Sequence, residues 1–152
     1  MKYDSILWFL KRFTLMHVLT YLIFGILFML ITDYFTVFSE HEIMKDIMRE
    51  SDSIWVRISP LVQILRGLLL GIVIYPFREI IFNTEKGWLK LFGLLWVLTG
   101  IGAVITGPGS IEGMLYTNLG FGNPLIGLPE VTFQMLAFSY FFVKFSWRRK
   151  NE

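Results

Sequence analysis

Cysteine is absent from the 152 residues, which removes disulfide staples, thiolate metal sites and thiol redox chemistry together. Charge is sparse as well: Lys, Arg, Asp and Glu make up 17% of the chain, and the formal net charge is +2. With no basic patch carrying interleaved aromatics, nucleic acid is not an expected partner. Histidine occurs twice. His41-Glu42 opens like a zinc-protease motif, but Lys45 stands where the second histidine is required. There is no nucleophile elbow and no phosphate loop ending in Gly-Lys-Ser/Thr, and Ser110 has no recognisable nearby base. These absences make an intramembrane enzyme the least favoured class, with an acid-base pair such as Glu112 and Arg66 its one remaining route, and no cofactor is expected.

What fills the chain instead is apolar surface, at 55% hydrophobic and 17% aromatic residues with a mean hydropathy of +0.59. That is far above a soluble domain of this length and points to a single all-α integral membrane domain over residues 1–152. About 20 apolar residues cross a hydrocarbon core of ~30 Å. Four stretches qualify, at about 13–32, 60–82, 88–106 and 129–147. The first is longer than the apolar region of a signal peptide and lacks a small-residue cleavage site, so it reads as an uncleaved helix. Ser59-Pro60 predicts the start of the second, and Pro76 deprives the Ile72 carbonyl of its donor, which predicts a kink near the inner end. A four-transmembrane-helix bundle follows.

Ten of the fourteen Lys and Arg residues lie in the N-terminus, the connection from Arg78 to Lys90 and the C-terminus. The other two connections, taken with Glu130 at the head of the fourth span, hold eight of the twelve acids. Both termini are therefore expected to be cytoplasmic and the protein to sit in the cell inner membrane. Trp8, Trp88 and Trp147 at the inner interface and Tyr34 and Trp55 at the outer one agree with that orientation.

Two outer segments carry a pattern. Ser39 and Glu42 have capping-box spacing, and Ile43, Met44, Ile47 and Met48 follow at helical intervals, which predicts a short amphipathic helix between spans 1 and 2. Between spans 3 and 4, a stretch from Thr106 to Pro124 holds five glycines but one charge, Glu112. Its apolar content argues against disorder, so it reads either as a loop folded over the outer half of the bundle or as a series of tight surface turns.

Arg66 is the conspicuous residue, a cation inside the otherwise apolar segment from Leu61 to Phe77. Counted from Pro60 it lies about 9 Å below the outer end of its span. Gln63 shares its face, and Gly67 with Gly71 forms a G-x-x-x-G pair that permits close approach of another helix. On the fourth span Glu130 and Gln134 share a face, with Gln134 expected at nearly the depth of Arg66. The candidate ligand-binding set is Arg66, Glu112, Glu130, Gln63, Gln134, Ser110 and Tyr116. Simpler roles stand beside it: Arg66 as a snorkelling side chain or structural ion pair, Glu130 as a first-turn carboxylate facing the helix dipole, and His17 as a hydrogen-bonded interhelical histidine. Arg78 and Glu79 read as an ordinary solvated face. Two function classes lead: binding of a small anionic or lipid-like ligand, and an accessory role toward another membrane protein. A subunit of an oligomeric transporter is the alternative, since four helices alone rarely enclose a path. The expected partners are membrane lipids and either another membrane protein or further copies of this chain.

Overall fold

The computed structural model describes residues 5–32, 53–100 and 124–148. Every regular element among them is helical: α1 (Ile6–Thr32), α2 (Ile54–Ile74), a single 3-10 turn (Tyr75–Phe77), α3 (Arg78–Phe82), α4 (Gly87–Gly100) and α5 (Pro124–Arg148). The expected amphipathic outer helix, the glycine-rich loop and the end of the third span lie outside the described residues. Four of the helices are long. Two stretches, α1 and Pro60–Phe82, are apolar and long enough to cross a membrane, and α4 contributes a shorter apolar run, Gly87–Leu98.

Helix starts differ from the expected ones. The Ser5 carbonyl accepts the first bond of α1 from Phe9 at 3.1 Å, and the Ser53 carbonyl accepts the first of α2 from Arg57 at 3.1 Å. So α2 begins at Ile54 and passes through Pro60, and α5 begins at Pro124 and passes through Pro129. Each internal proline deletes one ladder bond, to the carbonyls of Val56 and Leu125, and the bonds on either side carry the helix past it. Glu130 therefore stands beyond the first turn of α5, where the helix dipole has little hold on it. Pro76 acts differently. There the α-helix gives way to the 3-10 turn before α3 starts, the break expected from the missing donor.

The return from α3 to α4 is tight. Asn83 N–H closes α3 on the Glu79 carbonyl at 2.9 Å, Thr84 Oγ1 donates to the Ile80 carbonyl at 2.7 Å, and Gly87 N–H donates to the Thr84 carbonyl at 3.1 Å. A side chain at position 87 would run into the Ile81 carbonyl, so glycine is required by space alone.

α1 is the central helix, packed against α2 on one side and α5 on the other, while α4 packs on α5. The core gathers at the end where α1 begins: Phe9, Phe13, Ile74, Ile81, Leu91, Phe138 and Phe142 are buried there. Phe13 meets Phe138 and Phe142 edge-on with ring centroids 4.8 and 5.2 Å away, and Phe9 meets Tyr75 at 5.4 Å and Phe142 at 5.4 Å. Toward the other end the buried residues change character to Thr14, His17, Thr20, Gln63 and Gln134, while Leu15, Leu19, Ile23, Leu65 and Leu69 are exposed. Polar side chains inside and leucine and isoleucine outside invert the arrangement of a water-soluble domain.

Candidate functional site

Two glycines decide how α2 meets α1. A Cβ added at Gly67 would stand 3.1 Å from Thr14 Cα, and one at Gly71 would stand 2.8 Å from Leu10 Cδ2. The helix that the G-x-x-x-G pair admits is therefore α1, whose backbone comes close at Gly67 and whose Leu10 and Phe13 side chains fill the space at Gly71. This close seam brings His17 and Gln63, both buried, to 3.4 Å between Nε2 and Oε1. With its proton on Nε2, His17 donates to the Gln63 carbonyl oxygen, the interhelical bond expected of a histidine at that depth. Such bonds in membrane bundles average about 0.6 kcal/mol, so the pair fixes register more than it adds stability. The His17 ring also faces Phe138 of α5, centroids 6.0 Å apart, which makes it the junction of three helices.

Arg66 lies one residue off this seam. It is exposed, on a stripe of α2 shared with the exposed Val62, Leu69 and Val73. Glu130 and Gln134 are placed by the α1–α5 packing. Phe13 opposes Phe142, His17 opposes Phe138, and a Cβ at Gly25 would stand 3.7 Å from Glu130 Oε1. By that antiparallel register Gln134 is level with Tyr21, whereas the contacts of Gly67 and Gly71 put Arg66 level with Leu15. Gln134 thus lies about 9 Å further along α1 than Arg66, and Glu130 about 15 Å. No ion pair joins Arg66 to Glu130, and among the described residues no carboxylate pairs with Arg66 at all. The two depths expected to coincide do not, because α2 and α5 are offset along α1 by the residues that interlock, Gly67 on Thr14 and Phe138 on His17.

The candidate residues thus divide into three groups. Gln63 and Gln134 are buried, Gln63 in the seam between α1 and α2 and Gln134 at the level of Tyr21. Arg66 and the half-buried Glu130 flank that interior without meeting. Ser110, Glu112 and Tyr116 lie outside the described residues. The structure adds hydroxyls that the sequence reading passed over. Thr14 Oγ1, Ser139 Oγ and Ser146 Oγ are buried with no hydrogen-bond partner among the described residues. Thr20 instead returns its hydroxyl to the Met16 and His17 carbonyls at 2.9 and 3.1 Å, and Trp96 Nε1 donates to Thr132 Oγ1 at 2.8 Å between α4 and α5. Small hydroxyl residues on the inward stripe of an apolar helix were the available signal.

No family model, curated protein or solved structure matches this chain. The functional reading therefore rests on the site's own chemistry.

Proposed function

We propose that this chain is a small multi-pass protein of the cell inner membrane, with four spans and both termini cytoplasmic, that binds a small anionic, lipid-like ligand at Arg66. The observation that carries the reading is the exposed position of Arg66 on a leucine-rich face without a carboxylate among the described residues. A guanidinium at that depth in hydrocarbon is costly unless a counter-charge or water reaches it. An amphiphile meets both needs: its anionic head engages the planar donor fork while its tail runs along Val62, Leu69 and Val73. Gln63 and His17 stand behind the cation in the α1–α2 seam, whereas Gln134 and Glu130 lie on α5, across α1 from it. Membrane embedding is supported by the two long apolar helices and by the inverted burial of polar and apolar side chains.

The test is native mass spectrometry of the protein extracted from membranes. Wild-type protein should carry a non-covalent amphiphile. Arg66→Met should lose it, and Arg66→Lys should keep the fold but bind at least tenfold more weakly, because a point charge replaces a bidentate fork. Equal retention by all three sinks the reading, and a co-purified acidic membrane protein in place of the amphiphile reassigns Arg66 to a partner. Topology is checked in parallel: cysteines at Ser51 and Asn118 should label from outside, and one at Thr84 should not.

A further inference from the structure

At the inner end of the bundle, three cations on three different elements are each laid over an aromatic ring one turn earlier in their own chain segment. Arg12 sits over Trp8 at 5.0 Å, Arg78 over Tyr75 at 4.4 Å and Lys144 over Tyr140 at 4.9 Å. They lie at the same end of the bundle: Phe142 opposes Phe13, so Lys144 falls level with Lys11, the neighbour of Arg12, and Phe9 touches Tyr75, the ring beneath Arg78. The sequence reading of Arg78 as a solvated charge is corrected by this geometry. Its side chain is 28% exposed, it donates to the Tyr75 carbonyl at 3.4 Å, and its contact with Glu79, at 3.7 Å, is to a carboxylate 74% exposed. Lys144 is fixed as well, donating to Tyr140 Oη at 2.9 Å.

We propose that Arg12, Arg78 and Lys144 form a fixed ring of contacts for the headgroups of anionic phospholipids in the inner leaflet. Stacking on a ring occupies one face of a guanidinium, so phosphate is met by the solvent-facing N–H groups along its edge. It also removes side-chain freedom before the lipid arrives, so less entropy is lost on binding than with a mobile lysine. The local charge has the right sign. Among the described residues, Lys11, Lys86 and Lys90 stand around these posts, all exposed, against the carboxylates Glu79 and Glu85. Trp8, Tyr75 and Tyr140 supply the amphipathic rings that favour headgroup depth. The proposal rests on membrane embedding but not on the role of Arg66.

The experiment uses the full chain in nanodiscs of phosphatidylcholine and of an equal mixture of phosphatidylcholine and phosphatidylglycerol, with retained lipids counted by native mass spectrometry. Wild-type protein should retain phosphatidylglycerol selectively. Each of Arg12→Gln, Arg78→Gln and Lys144→Gln should lower that selectivity about fivefold, and the triple variant more than tenfold. The decisive comparison is Lys11→Gln with Lys86→Gln and Lys90→Gln, which removes the same charge from unstacked residues and should lose much less. Equal loss in the two triples means diffuse attraction and overturns the proposal. Where the first triple fails to fold, Arg12→Lys with Arg78→Lys keeps the charge, and undiminished selectivity there overturns it too. Equal protection by inorganic phosphate in phosphatidylcholine discs shows a free-anion site instead of a lipid one. Failure to enter either bilayer removes the membrane reading itself, whereas entry without lipid preference removes only this proposal.

Discussion

The two ends of α1 solve opposite problems. At its start, Phe9 and Phe13 are enclosed by rings from the 3-10 turn, α3 and α5, with cations stacked around the rim. From Thr14 onward the same helix turns threonine and histidine inward and meets α2 through glycine and glutamine. In hydrocarbon there is little hydrophobic gain from burying a leucine, so shape and polar pairing decide which faces meet. The aromatic end therefore encloses the bundle by close packing, and in the polar half glycine contacts and the His17–Gln63 bond set the register of α1 on α2.

The sharpest way to break this contrast is to empty the aromatic end. Phe13 is fully buried among Phe9, Phe138 and Phe142, and Phe13→Ala should cost about 3 to 5 kcal/mol, since a Phe-sized cavity cannot collapse against three helices. Reversible unfolding in mixed detergent micelles reads this out. A loss below ~1 kcal/mol would mean that the aromatic cluster is not what fixes the bundle, and the division between the two ends would fall with it.

The glycine seam offers a finer test, in which the nearer contact is the cheaper one. At Gly71 an added methyl meets the end of the Leu10 side chain, which can rotate away, although the distance is only 2.8 Å. At Gly67 it meets the Thr14 backbone at 3.1 Å, which cannot move without shifting α1. Gly67→Ala should therefore destabilise by about 1 to 3 kcal/mol, and Gly71→Ala by less. Loss of the His17–Gln63 bond should accompany only the Gly67 variant, visible as a change in the His17 imidazole NMR signals. The reverse ranking would place α2 on a different face of α1.

Much of this arrangement was legible in the residues themselves. The apolar runs, the break at Pro76, the close approach at Gly67 and Gly71 and the interhelical role of His17 all follow from local chemistry. Relative height between helices did not. Height is set by which residues interlock across the helices, Gly67 on Thr14 and Phe138 on His17, and not by where each helix begins. That packing offset separates Arg66 from Gln134 and Glu130. The ring stacking of Arg78 was equally hidden, because a three-residue spacing from Tyr75 means a shared face only where the chain is helical through Pro76.

The smallest effect is expected at Ser139 of α5, between Phe138 and Phe142 in sequence, and its sign carries the information. Ser139 is completely buried, and its hydroxyl has no partner among the described residues. An unsatisfied buried hydroxyl carries a desolvation penalty of about 1 to 3 kcal/mol, and Ser139→Ala removes it while leaving a void of only one oxygen. The variant should unfold at the same denaturant concentration as the parent or a higher one. Thr14→Val provides the matched case at the α1–α2 seam, where a methyl replaces the unpaired Oγ1 at nearly constant volume. A clear destabilisation by Ser139→Ala would mean that the hydroxyl is bonded in the folded protein, to a water held between helices or to a ligand atom. The polar interior would then reach from His17 past Phe138 to Ser139, into the end assigned to the aromatic cluster.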